Sequence, residues 1–146
     1  MSERSGAQLL GLPVRLRGLQ LGQPTDLLLD RDAMRALGID VVCGDGAHRF
    51  LPFSTAMIGN DAITIKSPLV LLEADELSFY RSRSFTLSSL RGRPVERDAV
   101  TLGVLRDVIV ATDGELAAVL VEDDGAIERV PSDGDLRFAS ARRSAA

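Results

Sequence analysis

The sequence predicts a mainly β chain, built as two small antiparallel β-barrels related by internal duplication and joined by a short helical connector. Three observations lead there. Apolar runs are short, alternate with polar residues and are bounded by turn residues. One β pattern occurs twice: Leu10-Gly11-Leu12-Pro13-Val14 returns as Arg91-Gly92-Arg93-Pro94-Val95, Leu21-Gly22 as Leu102-Gly103, and Asp26 as Asp107. Asp45-Gly46 with Pro52 beyond it returns as Asp124-Gly125 with Pro131, so the offset falls from 81 residues to 79 and one hairpin is two residues shorter. Finally, the segment between the copies abandons alternation for helical spacing. A pattern repeated at fixed order marks a repeated structural unit.

The elements follow in order. The first barrel spans residues 1–72, with 1–8 polar and loose. Strands are expected at Val14–Arg17, Pro24–Leu29, Leu37–Val42, His48–Pro52, Ala62–Lys66 and Leu69–Leu72. The connector, 73–86, is partly helical: from Ala74 to Arg83, Leu77 and Tyr80 share a face, acids lead, and arginines close in the sense of the helix dipole. A second helical turn starts at Thr86 or Ser88 and stops at Gly92. The second barrel spans 87–140, with strands at Val95–Arg97, Val104–Ala111, Leu116–Glu122, Ile127–Val130 and Leu136–Phe138. Asp45-Gly46, Asp113-Gly114 and Asp124-Gly125 suit the positive φ angles of type I′ hairpins. Asp133-Gly134 and Gly59-Asn60-Asp61 are further turns. Residues 141–146 form a small, basic, disordered tail. A second unit this short buries little surface alone, so the two barrels are expected to pack on each other or to form a homodimer.

Composition narrows the function classes. A formal charge of -4 opposes a general nucleic-acid binder. One Cys permits no internal disulfide and favours a reducing, cytoplasmic compartment. The opening Met-Ser-Glu-Arg-Ser-Gly has no apolar h-region, and no apolar run is long enough to span a membrane. Sixteen of the 17 basic residues are arginine, a bias that a GC-rich bacterial genome produces without selection for function.

The repeated residues Gly11, Pro13, Val14, Leu21, Gly22, Asp26 and Pro52, with Gly92, Pro94, Val95, Leu102, Gly103, Asp107 and Pro131, resemble the PRC-barrel family, named after the cytoplasmic domain of the photosynthetic reaction-centre H subunit. The resemblance covers both copies but not the connector or tails. It implies a non-enzymatic module that docks proteins, as in reaction centres and in a ribosome maturation factor for the small subunit. That factor pairs one such barrel with a different N-terminal one, and the reaction-centre subunit has a membrane helix; this sequence departs from both plans.

Few residues suggest chemistry. His48 and Cys43 flank the Asp45-Gly46 turn, but two candidates fall short of the four ligands of a structural metal site, and a Cys-His nucleophile needs an orienting group and a pocket. They read as a buried strand Cys and a surface hairpin His. Asp26 and Asp107, in matching places, read as a turn or backbone cap the fold needs twice. Asp30-Arg-Asp32 lacks the remaining parts of a calcium loop, and Gly44-Asp-Gly46 lacks those of a phosphate loop. Leu69-Val-Leu-Leu72 reads as core or as the seam between barrels, with an exposed docking edge as the alternative. No catalytic, metal or cofactor residue is expected. Residues that differ between the copies are better candidates for specific contact: Phe79, Tyr80, Arg81, Arg83, Arg91, Arg93 and Arg97, in a stretch with no acid from Leu77 to Val95. Such a patch suits an acidic protein surface, RNA by charge and stacking, or plain solvent.

The expectation is therefore a non-catalytic cytoplasmic adaptor docking a partner protein. The alternatives are an RNA- or ribosome-associated factor using the Arg81–Arg97 patch, and a peripheral partner of a membrane transporter or photosynthetic complex.

Overall fold

The computed structural model describes residues 3–30, 34–133 and 135–139. The strands, in chain order, are β1 (Glu3–Ser5), β2 (Val14–Leu16), β3 (Leu19–Asp30), β4 (Ala36–Cys43), β5 (His48–Pro52), β6 (Met57–Ile58), β7 (Ile63–Thr64), β8 (Ser84–Thr86), β9 (Pro94–Arg97), β10 (Val100–Ala111), β11 (Leu116–Asp123), β12 (Ala126–Pro131) and β13 (Leu136–Phe138). Helices α1 (Gly6–Leu10), α2 (Ala74–Ser82) and α3 (Leu87–Leu90) interrupt them, with 3₁₀ turns at Phe53–Thr55 and Pro68–Val70. The expected tail at 141–146, Gly134 of the Asp133-Gly134 turn and most of the Asp30-Arg-Asp32 segment lie outside the described residues.

The chain is mainly β, in two sheets. One runs β5-β4-β3-β2-β7-β6 with β8 added on β3; the other runs β12-β11-β10-β9-β13 with β1 added on β10. Among the described residues neither path returns to its first strand, so the closed barrels expected from the sequence are open sheets. At the gap in the second sheet a side chain stands where a strand would: the Arg97 guanidinium donates to the Pro131 carbonyl at 2.6 Å. One pair also departs from the antiparallel pattern, since β2 lies parallel to β7.

The order of addition is unexpected. Residues 3–8, expected to be loose, form β1 and the start of α1, and β1 joins the sheet of the second repeat. The segment before the second repeat, β8, joins the sheet of the first. The two registers correspond: Ser5 faces Ile109, and Thr86, 81 positions after Ser5, faces Leu28, 81 before Ile109. At the hairpin tips the sheets touch again, where the Ala36 N–H donates to the Gly114 carbonyl (2.6 Å) and the Leu116 N–H to that of Met34 (3.0 Å). One apolar core therefore runs through both repeats, from Leu9, Val14 and Leu27 to Val119, Val130 and Leu136.

Local chemistry explains the repeated motif. Gly22 and Gly103 sit at register shifts against β2 and β9. A Cβ on Gly22 would come 2.6 Å from the Val42 carbonyl oxygen, and one on Gly103 2.4 Å from that of Glu122, so each Leu-Gly holds the neighbouring strand close. Of the Asp-Gly turns, only Asp124-Gly125 has positive φ at both residues. Asp45-Gly46 and Asp113-Gly114 have it at glycine alone, as in a three-residue loop ending in a glycine bulge. Type I′ angles also occur at Arg17-Gly18 and Asp98-Ala99. The strand expected at Leu69–Leu72 is largely a 3₁₀ turn, because Pro68 starts it and the Ser67 hydroxyl accepts the Leu69 N–H. Only Leu72 bridges to Phe50. The expected connector, 73–86, holds α2, the second helical turn expected from Thr86 or Ser88 is α3, and among the described residues no helix is long and apolar enough to cross a membrane.

Candidate functional site

The repeated aspartates are structural, and they act across the repeats. Each accepts its own following N–H (Leu27 to Asp26, 2.9 Å; Val108 to Asp107, 2.8 Å), which turns the carboxylate toward the other repeat. Asp107 then accepts the Ala7 N–H of α1 at 3.1 Å, and Asp26 accepts the Ser88 N–H of α3 at 3.1 Å. Ala7 and Ser88 are again 81 positions apart. Each carboxylate satisfies a helix-start donor that has no partner within its own helix. The expectation of a cap needed twice holds, with the helix supplied by the opposite repeat.

The seven residues of the basic-aromatic stretch do not form one surface. Helix α2 lies on the outer face of β4 and β5, where Leu77 packs with Leu28 and Phe50 and Tyr80 stacks on Phe50 with ring centroids 4.5 Å apart. Arg81 pairs with Asp40, which is 2% exposed and also faces His48 Nδ1 at 2.8 Å. This charge would be unsupportable on a buried strand without such partners. Arg83 stands 3.9 Å over the ring of Phe79, which is 50% exposed. Arg91 lies at the seam, donating to the Arg106 carbonyl (3.1 Å) and facing Asp107 (3.7 Å). Arg97 is engaged at the mouth of the second sheet by Pro131 and by Asp133 at 3.1 Å. Arg93 lies 5.6 Å from the Phe85 ring and lines, with Arg81, a shallow groove. That groove, about 470 Å³, is edged by the hydroxyls of Thr86, Ser88 and Ser89 and by Asp26. Of the seven, Phe79, Arg83 and Arg93 are the ones that neither a carboxylate nor ring stacking on the core holds in place.

Cys43 is partly buried at the end of β4, and His48 is half-exposed at the start of β5. Nearby, Arg49 donates to both carboxylate oxygens of Asp45, at 3.1 and 2.9 Å. That pairing, reinforced by the Ala47 N–H, lowers the Asp45 carboxyl from 3.8 to about 2.

The outer faces of the two sheets differ in a way the sequence reading missed. Paired residues share a face, so the rows Glu122–Ile127, Asp107–Leu120–Arg129 and Ile109–Ala118–Pro131 look outward. Their counterparts in the first sheet are Val42–His48, Asp26–Asp40–Phe50 and Leu28–Gly38–Pro52. The first face is covered by α2. Among the described residues no helix covers the second. There Leu120 replaces Asp40, and Ile127, 62% exposed, replaces His48. Arg129 reaches Glu3 of β1 at 2.7 Å. Leu19 and Val100, at matching hairpins, are also exposed. One signal was legible: Asp40 is the only charge in the apolar run Leu37–Val42, so its partners could be sought in advance.

No family model matches the chain, and no curated protein matches it significantly.

Proposed function

We propose that the chain is a docking scaffold made of two PRC-barrel-type units, the second a repeat of the first, and that it binds a partner protein without catalysis of its own. The repeat reading is supported by the matched registers and by the two aspartates that cap helices across the seam. The docking reading rests on one observation above all: β12 ends its sheet, five of its six residues are exposed, and it carries Ile127 on an outward face. Apolar side chains on an uncovered sheet edge mark protein contact. The single Cys supports a cytoplasmic setting. The test is a pull-down from native lysate with tagged full-length chain, with and without RNase, read by mass spectrometry. Protein partners that survive RNase are expected. Recovery of nothing above a control bait would overturn the reading.

A second reading, RNA binding, is favoured by Arg81 and Arg93 lining the same hydroxyl-edged groove. Its signature is affinity falling steeply with salt, lost in Arg93→Glu. Salt-independent association would exclude it.

A further inference from the structure

We infer that the outer face of β11 and β12 is a receptor for an amphipathic helix of a partner protein, one that carries apolar residues on one face and lysine or arginine beside them. The inference rests on the docking reading above and names its partner chemistry.

The molecule supplies its own template. On the first sheet the equivalent face is occupied by α2, which sets Leu77 against Leu28 and Phe50, Tyr80 on Phe50, and Arg81 on Asp40. Leu77, Tyr80 and Arg81 follow the i, i+3, i+4 spacing of one helix face. On the second sheet the same rows offer the buried Ile109 and Ala118 as a floor, with the half-buried Leu120 and the exposed Ile127 above it. Asp40 and His48 of the covered face become Leu120 and Ile127 here, while Phe50 and Val42 become Arg129 and Glu122, so the apolar contact is concentrated at Leu120 and Ile127 with charges beside it. A helix seated there buries Ile127 and Leu120, the change that drives helix-in-groove recognition.

Charge selects the kind of helix. The face is bounded by Glu122 and by Asp123 and Asp124 at the hairpin tip, with Glu3 on the far side. Against these four acids stand Arg106, paired to Glu122 at 2.5 Å, and Arg129, paired to Glu3 at 2.7 Å. The rim is net negative, so an approaching cationic helix is drawn in and an anionic one repelled.

The test uses isotopically labelled full-length chain and a synthetic helical peptide with Leu and Phe at i, i+3, i+4 and i+7 and lysine elsewhere. A shuffled peptide of the same composition is the control. Amide shifts are expected in residues 116–131, with binding at least about tenfold weaker for the shuffled peptide and for Ile127→Glu, a tenfold loss being about 1.4 kcal/mol. Ile127→Val should bind within about fourfold of the unchanged chain, since it removes one methylene worth about 0.8 kcal/mol. Position 127 is exposed, so its variants fold; matching urea curves check this. Equal binding of the shuffled peptide, no loss in Ile127→Glu, or shifts confined to the Arg81–Arg93 groove would overturn the inference. So would self-association of the chain through Ile127, which would assign the face to a second copy. If the pull-down still returns protein partners, only the face assignment has failed; if it returns none, the docking reading has failed with it.

Discussion

Replacing Gly6 by alanine should destabilise the protein, although Gly→Ala in a helix is ordinarily favourable by about 0.5–1 kcal/mol. Gly6 opens α1 where the two repeats meet. A Cβ there would come 2.5 Å from Leu87 Cδ2 and 2.5 Å from Asp107 Oδ1. Carbon atoms in contact prefer about 3.5–4.0 Å, so the methyl overlaps both neighbours by roughly 1 Å. Neither can easily retreat. Leu87 is fully buried, and Asp107 is fixed by the N–H groups of Val108 and Ala7. Overpacking of this kind costs about 1–3 kcal/mol, which leaves a net loss of up to about 2.5 kcal/mol after the helical gain. Leu87→Ala alone opens a cavity and should cost about 2–5 kcal/mol. In the double variant the new methyl enters the space the leucine vacated, so the losses should fall short of additivity by about 1 kcal/mol or more. Urea denaturation of the four proteins measures all three terms, read as midpoint shifts at constant slope. A stabilised Gly6→Ala, or additivity within about 0.5 kcal/mol, would refute the close seam between α1 and α3.

Three further outcomes follow. Ala99 holds a left-handed angle (φ 65) where its repeat counterpart is Gly18. Ala99→Gly removes strain of about 1–2 kcal/mol at an entropic cost of about 0.4–1, so it should raise stability by roughly 1 kcal/mol, and Gly18→Ala should lower it; a destabilised Ala99→Gly contradicts the turn geometry. Asp107→Ala strips a cross-repeat cap and should cost about 1–2 kcal/mol, with hydrogen exchange accelerating at Ala7; protection unchanged at Ala7 would deny the contact. The Asp45 carboxyl should titrate near pH 2 by carbon-detected NMR and move back toward 3.8 in Arg49→Gln. Because its folded value is depressed, its contribution is complete above 3.8 and fades as pH falls toward 2, so a midpoint left unchanged by Arg49→Gln would refute the cause.

Strand positions were legible where alternation and turn residues agreed: β5 and β13 fall where the pattern put them, and α2 ends within a residue of its expected limit. Leu-Gly and Asp stand in the sequence where close backbone approach and helix capping call for them. The 3₁₀ turn at Pro68 was missed because an apolar run does not reveal how the residue before it is capped. The N-terminal helix was written in the sequence all the same: Ser5 and Gln8 form a reciprocal cap, with Ser5 N–H to Gln8 Oε1 at 2.8 Å, but a polar composition masked it. Partner choice among strands was not legible, since β1 and β8 are three-residue segments whose place is set by the opposite repeat. The basic-aromatic stretch looked continuous because chain proximity hid the carboxylates, Asp40, Asp107 and Asp133, that draw its arginines to different sides.

The exchange of β1 and β8 also sets a timetable for synthesis. Glu3 leaves the ribosome before any other described residue, yet its partner is Ala111, over a hundred positions later. At about 5–20 residues per second, the N-terminal strand waits roughly 5–20 s with its hydrogen-bonding edge unmet. The first sheet is likewise incomplete until β8 emerges. Neither sheet can finish while the ribosome holds the other, so the chain commits to its native arrangement only after β10 has emerged. Substitutions that prolong this interval should lower soluble yield more than they lower the stability of the finished protein.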